Sequence, residues 1–101
     1  MLYLSYMKFI ITESQSNRLW LLRRYDLVKK AFKETDDYIN PFLFDSFEDY
    51  ERRFLQYMMD ELHPYFYEIE EFDYNGVMKE LQDMFYVEIT ESYFGSVGRN
   101  N

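Results

Sequence analysis

No cysteine occurs among the 101 residues, which excludes disulfides, thiolate zinc sites and cysteine nucleophiles and suits a reducing compartment. Glycine is nearly as scarce, at three, and proline occupies two positions. So few glycines leave no G-x-G-x-x-G, P-loop or nucleophile-elbow sequence to cradle a phosphate or present a serine. The single histidine, His63, precedes Pro64 and has no second histidine or cysteine to form a triad or a usual zinc site with it. It reads as a helix-terminal residue. Long apolar runs are missing too. The opening MLYLSYMKFII is shorter than the ~20 residues a membrane span needs, and it lacks a positive leader and a small-residue cleavage site. No membrane or export segment is expected. Met7 opens MKFIITESQ, so residues 1–6 are read as an optional extension.

What the chain has in abundance is aromatic and acidic side chains. Aromatics make up 22% and the hydrophobic set 48%, enough apolar surface to order one domain of this length and far from the composition of a disordered chain. A single domain over 1–94 with a flexible tail at 95–101 is the expected organisation.

The patterning is helical. Thr12 and Gln15 have the spacing of a reciprocal helix cap, and Leu21, Tyr25, Val28 and Phe32 then recur at intervals of 4, 3 and 4, which predicts a helix over about 13–35. Asp36, Asp37, Asn40 and Pro41 form a turn-rich linker. Ser46 followed by Asp49 repeats the capping pattern before Phe47, Tyr50, Phe54, Met58 and Leu62, predicting a helix over about 46–62 that ends at His63-Pro64. Asp73 caps a third helix through Tyr74, Val77, Leu81 and Phe85 to about residue 92, although Gly76 in its first turn costs ~1 kcal/mol relative to alanine. The expected fold is mainly α, a compact three-helix domain. A short N-terminal strand, or a two-stranded ribbon pairing the alternating residues 2–7 with the β-prone Tyr86–Thr90, is the structural alternative.

Charge is distributed unevenly. Residues 18–33 hold six cations against one acid, a local +5, whereas 34–91 hold three cations against seventeen acids, a local −14. The acidic pairs Asp36-Asp37, Asp60-Glu61 and Glu70-Glu71 lack the D-x-D-x-D-G spacing of a calcium loop and read as solvated faces. No cofactor and no metal are expected, and enzyme is a disfavoured class. The basic helix interleaves Trp20 and Tyr25 with its cations, but on a helical wheel these rings share the apolar arc with Leu21, Leu27, Val28, Ala31 and Phe32. They are expected in the core, and a total charge of −8 repels a polyanion, so direct nucleic-acid binding is disfavoured.

Two readings remain. Eleven tyrosines and ten phenylalanines exceed what one small core hides, and such rings are favoured at protein interfaces. The segment His63–Phe72 sets Tyr65, Phe66, Tyr67 and Phe72 beside Glu70 and Glu71, an aromatic patch rimmed by carboxylates that is the candidate partner-binding surface. The alternative from another class is an acidic mimic of nucleic acid that occupies the basic groove of a nucleic-acid-binding protein. Homodimerisation through the charge dipole is a third mode of association. Arg24 falls inside the apolar arc of its helix and is expected to form a buried ion pair with Glu51, Glu61 or Glu88, each inside the apolar arc of its own helix.

The stretch MKFIITESQSNRL resembles the K-x-x-I-T-E-S-Q-x-x-R-L start of small proteins encoded by large marine tailed phages, and RLWLLRRY and DELHPYFYEIEEFDY are similar to later segments of that group. The similarity extends over most of residues 7–93. It implies a phage-type gene product in the cytoplasm of a bacterial host or in the virion, with a host or phage protein as partner, and brings no activity with it.

Overall fold

The computed structural model describes residues 13–68 and 73–97. Four α-helices, α1 (Glu13–Arg23), α2 (Tyr25–Tyr38), α3 (Phe47–Leu62) and α4 (Tyr74–Val97), account for most of them, and no strand occurs among the described residues. Single 3₁₀ segments at Pro41–Leu43 and His63–Glu68 carry the connections.

The first predicted helix is divided. Arg24 takes φ −118° and ψ 36°, outside helical geometry, and its amide bonds back to Leu21 O at 3.1 Å. Leu21 and Val28 are fully buried as the spacing predicts, but Tyr25 is exposed and Phe32 half-buried, and Ala31 and Thr35 complete the inward face of α2 instead. The break re-aims the second half of the stripe, an effect periodicity in one dimension does not contain.

The other helix boundaries follow their local chemistry. Asn40 Oδ1 accepts from Phe42 N at 3.0 Å and Pro41 opens the 3₁₀ turn, where its missing donor costs nothing. Ser46 Oγ accepts from Asp49 N at 3.2 Å, the cap expected for α3. Asp73 Oδ1 accepts from Gly76 N at 3.1 Å at the start of α4. The expectation of a ribbon strand at 86–90 is overturned: Tyr86 to Thr90 lie inside α4, where Ile89 and Tyr93 continue the stripe of Val77, Leu81 and Phe85 into the core, so burial at helical spacing outweighs local β preference. Residues 95–97, expected in the tail, are the last of α4. The expected N-terminal strand and the cap at Thr12 lie outside the described residues, as does the tail beyond Val97.

Side-chain pairings set the arrangement. Asn17 meets the start of α4 at Gly76, Arg18 reaches Glu80, Phe32 stacks on Phe85 at 5.0 Å, and Ser92 bonds Asp36, so the α1–α2 rod runs parallel to α4. α3 runs antiparallel to α4, with Glu51 opposite Gln82 and Phe47 opposite Phe94. Phe85 itself leaves helical geometry (φ −117°, ψ 16°) and kinks α4 beside the Arg24 break, since Tyr25 and Phe85 line one cleft. The core between the rods is built on Tyr50, Phe54, Met58, Met59, Leu62, Leu81 and Ile89, all essentially inaccessible.

Candidate functional site

The segment expected to form the partner surface is used differently. Phe66 is 6% exposed, its ring 5.5 Å from Trp20 and 6.3 Å from His63, so it seals the core between α1 and the end of α3. An aromatic placed within reach of the Trp20 ring loses more water by packing there than by facing solvent, which overturns its assignment to the surface. Tyr65 is partly exposed. Tyr67 lies in the 3₁₀ segment, and Glu70, Glu71 and Phe72 lie outside the described residues. Trp20 and Phe32 pack against the core, as the wheel predicts.

The ion pair expected at Arg24 is corrected as well. Arg24 sits half-exposed at the helix break, its guanidinium 4.5 Å over the Trp20 ring and its Nη1 donating to Trp20 O at 3.4 Å. Among the ion pairs of the described residues, none joins Arg24 to Glu51, Glu61 or Glu88. Glu61 and Glu88 are exposed, and Glu51, which is buried, accepts from Gln82 Nε2 at 3.1 Å. Leaving the helical ladder lets Arg24 stack on an aromatic face instead of desolvating inside the core. Among the described residues, an inter-helix ion pair to a buried carboxylate joins Arg18 Nε to Glu80 Oε1 at 2.7 Å.

The exposed aromatic surface lies elsewhere, at the N-terminus of α3 and the second half of α4. Phe47 contacts three rings of α4: Tyr86 edge-on at 6.2 Å, Tyr93 at 5.9 Å and Phe94 stacked at 5.6 Å. Tyr93 is buried, but Tyr86 and Phe94 are 52% and 53% exposed, and Val87 beside them is more exposed still. Thr90 continues the same row between Tyr86 and Phe94, and the exposed Glu48 and Glu91 flank it. Because each exposed ring is held by another ring, the face is ordered before any partner arrives. Its sequence signal was present as Tyr86, Thr90 and Phe94 at i, i+4, i+8, a second stripe one position away from the buried Phe85, Ile89 and Tyr93. A helix apolar on both stripes needs a neighbour for each, and a linear reading does not show which is left over.

A cleft of about 360 Å³ continues this face along the α3–α4 groove. Glu48 and Glu51 line it from α3, one position and one turn beyond Phe47, and Gln82 lines it from α4, one turn before Tyr86. Leu55 and Met78 contribute apolar walls. Glu51 Oε2 is buried with no hydrogen-bond partner among the described residues. A second cleft of about 270 Å³ between α2 and α3 is acidic, with Glu34, Asp60 and Glu61 around Tyr38 and Tyr57. There the Glu34 side chain bonds the Glu61 carboxyl and raises its pKa above the ordinary 4.5, and the small burial of Glu61 and the Glu34 charge act in the same direction.

The cations of α2 are spread among acids. Lys30 lies 3.9 Å from Glu34 and Lys33 3.9 Å from Asp37, pairs of the i,i+4 kind that solvent screens. Among the described residues, no group of three or more His, Cys, Asp or Glu side chains is placed to hold a metal ion, and no helix is long and apolar enough to cross a membrane. No protein-family model, no curated protein and no solved structure matches the chain.

Proposed function

We propose that this chain is a small acidic accessory protein, without a catalytic step, that binds another protein through the Phe47–Tyr86–Phe94 face. The observation that carries the reading is a pair of rings, Tyr86 and Phe94, both more than half exposed yet fixed in place by one ring, Phe47, between them. Large apolar side chains held in a cluster on the surface mark contact sites, because their burial against a partner adds hydrophobic free energy without a further ordering cost. The acidic rim of Glu48 and Glu91, on a chain of net charge −8, favours a partner segment carrying basic residues beside apolar ones. On the phage resemblance, that partner belongs to the host or to the phage, and the encounter takes place in the bacterial cytoplasm or the virion.

The acidic nucleic-acid mimic is the second reading. It predicts capture through charge alone. Lys29, Lys30 and Lys33, exposed on α2 among Asp26, Asp36 and Asp37, interrupt the acidic surface on that side and weigh against an unbroken phosphate-like array.

Capture from bacterial lysate by the wild-type chain and by a Tyr86→Ala/Phe94→Ser variant separates the readings. A specific protein retained at about 0.5 M salt by the wild type and lost by the variant supports the aromatic face, since exposed charge pairs are screened there. Equal capture by both at low salt, abolished for both by salt, supports mimicry. Sedimentation of the chain alone at high concentration tests homodimerisation through the charge dipole, which a monomer there would remove.

A further inference from the structure

The α3–α4 cleft beside the aromatic face contains a buried carboxylate that is incompletely matched. Glu51 is 8% exposed; its Oε1 accepts from Gln82, and its Oε2 is buried with no donor among the described residues. A carboxylate offers about four acceptor positions, and buried polar atoms of folded proteins are nearly always satisfied. Glu51 lines the cleft, and a donor from outside the chain that reaches this oxygen gains more than it would at an ordinary surface acid. Among the described residues, no cation fills it. Arg52 Nη2 is turned to Asp49 Oδ1 at 3.2 Å, and Lys79 stands exposed on the rim with no ion pair to Glu51.

The remaining walls describe the ligand. Leu55 is buried and Met78 half-buried, and together they offer apolar contact to a methylene stem, while Glu48 adds a second negative charge at the mouth. A long cationic side chain buries its stem on such walls and keeps its charged head at an acid. A volume of about 360 Å³ admits one side chain and not a folded element. Among the described residues, no third metal-ligating side chain stands with these two glutamates, which separates the cleft from a cation cage.

We propose that this cleft receives a single ammonium or guanidinium group, delivered as a lysine or arginine side chain of the protein that docks on Phe47, Tyr86 and Phe94. The identification of the source as a protein partner rests on the reading above. The geometry agrees with it: Glu51 lies one turn along α3 from Phe47 and Gln82 one turn along α4 from Tyr86, so the cleft is about one helical pitch, roughly 5 Å, from the rings. A segment lying in the groove would place an apolar residue on the rings and a basic residue in the cleft within a few residues of each other.

The test uses the full chain and no partner. Isotope-labelled protein is titrated with N-acetyl-lysine methylamide and N-acetyl-arginine methylamide, with N-acetyl-norleucine methylamide as the uncharged match and ionic strength held constant by sodium chloride. Saturable shifts of the Gln82 side-chain amide and of the Met78 and Leu55 methyl groups with either cation, at least fivefold weaker in Glu51→Gln and missing with norleucine, are the expected result. No saturable shift with either cation overturns the proposal, as do equal shifts with norleucine, equal affinity in Glu51→Gln, or reproduction of the shifts by magnesium or calcium chloride alone. Glu51→Gln keeps the size of the side chain and its contact with Gln82; should it fail to fold, the contrast between lysine and norleucine in the wild type decides the matter. Because no partner is used, failure here removes the cleft and leaves the aromatic face to be judged by its own variants.

Discussion

Arg18 and Glu80 join α1 to α4 with unequal burial: the guanidinium side chain is 47% exposed and the carboxylate side chain 5%. The asymmetry sets the cost of breaking the pair. Arg18→Met takes a cation from a buried acid and should destabilise the fold by about 1–3 kcal/mol, below the range for a wholly buried pair because Arg18 is partly solvated. Adding Glu80→Gln to that variant should restore much of the loss. Urea unfolding of the single and double variants measures the coupling, and strict additivity would show that the pair contributes nothing.

Gly76 and Gly95 both lie in α4 but should respond to alanine with opposite signs. A Cβ at Gly76 would stand 2.3 Å from Asp73 Oδ2 and 2.6 Å from Asn17 Nδ2, displacing the cap of α4 and its contact with α1, whereas a Cβ at Gly95 meets nothing within 4 Å. Gly76→Ala should therefore cost about 1–2 kcal/mol despite the better helix propensity of alanine. Gly95→Ala should gain about 0.5–1 kcal/mol. Thermal melts of the two variants provide the comparison, and a stabilised Gly76→Ala would mean that the cap relaxes without penalty.

Tyr50, Ser92 and Asp36 form a hydrogen-bonded chain through α3, α4 and α2. Tyr50 Oη and Ser92 Oγ are 2.9 Å apart, and Ser92 Oγ donates to the Asp36 carboxylate, so Tyr50 is the donor to Ser92. Ser92→Ala strips the buried hydroxyl of its acceptor and should cost about 1–2 kcal/mol, more than Tyr50→Phe, which removes the hydroxyl along with its need.

The same tyrosine makes stability fall in alkali. Burial raises the Tyr50 pKa above its ordinary 10.0, and the Asp36 charge adds to the rise. The unfolded chain then loses this proton at a lower pH than the folded one, so stability is intact below pH 10 and declines as pH rises from there toward the folded pKa. Tyr50→Phe should flatten the decline measured between pH 9 and 11; an unchanged slope would place its source in other tyrosines.

Glu61 gives the matching test in acid. Its pKa is raised by the Glu34 side chain, so the paired arrangement is favoured while Glu61 keeps its proton and weakens as pH rises through its folded pKa. Glu61→Gln should therefore stabilise the protein at pH 7 relative to wild type, with the advantage shrinking toward pH 4. The same advantage at both pH values would show that repulsion from Glu34 is not its cause.

The sequence by itself determined what depends on neighbours in the chain. Ser46 and Asp73 cap helices because a short acceptor three residues before an amide satisfies it whatever surrounds the pair, and Pro41 and Pro64 end helices for equally local reasons. The inward residues of α3 and of the first half of α4 were legible because a stripe at helical spacing buries the same way against any apolar neighbour. Tertiary structure decided the rest. Arg24 left the helix and stacked on the Trp20 ring, and Arg18 became a partner of buried Glu80 because α4 brought that acid to it. Phe66 went inside because Trp20 faced it, and Tyr86 and Phe94 stayed outside because α3 covers the α4 stripe one position away. Each of these outcomes turns on which of several chemically equivalent side chains meets a given surface, and that depends on the relative placement of whole helices, which spacing along one of them does not encode.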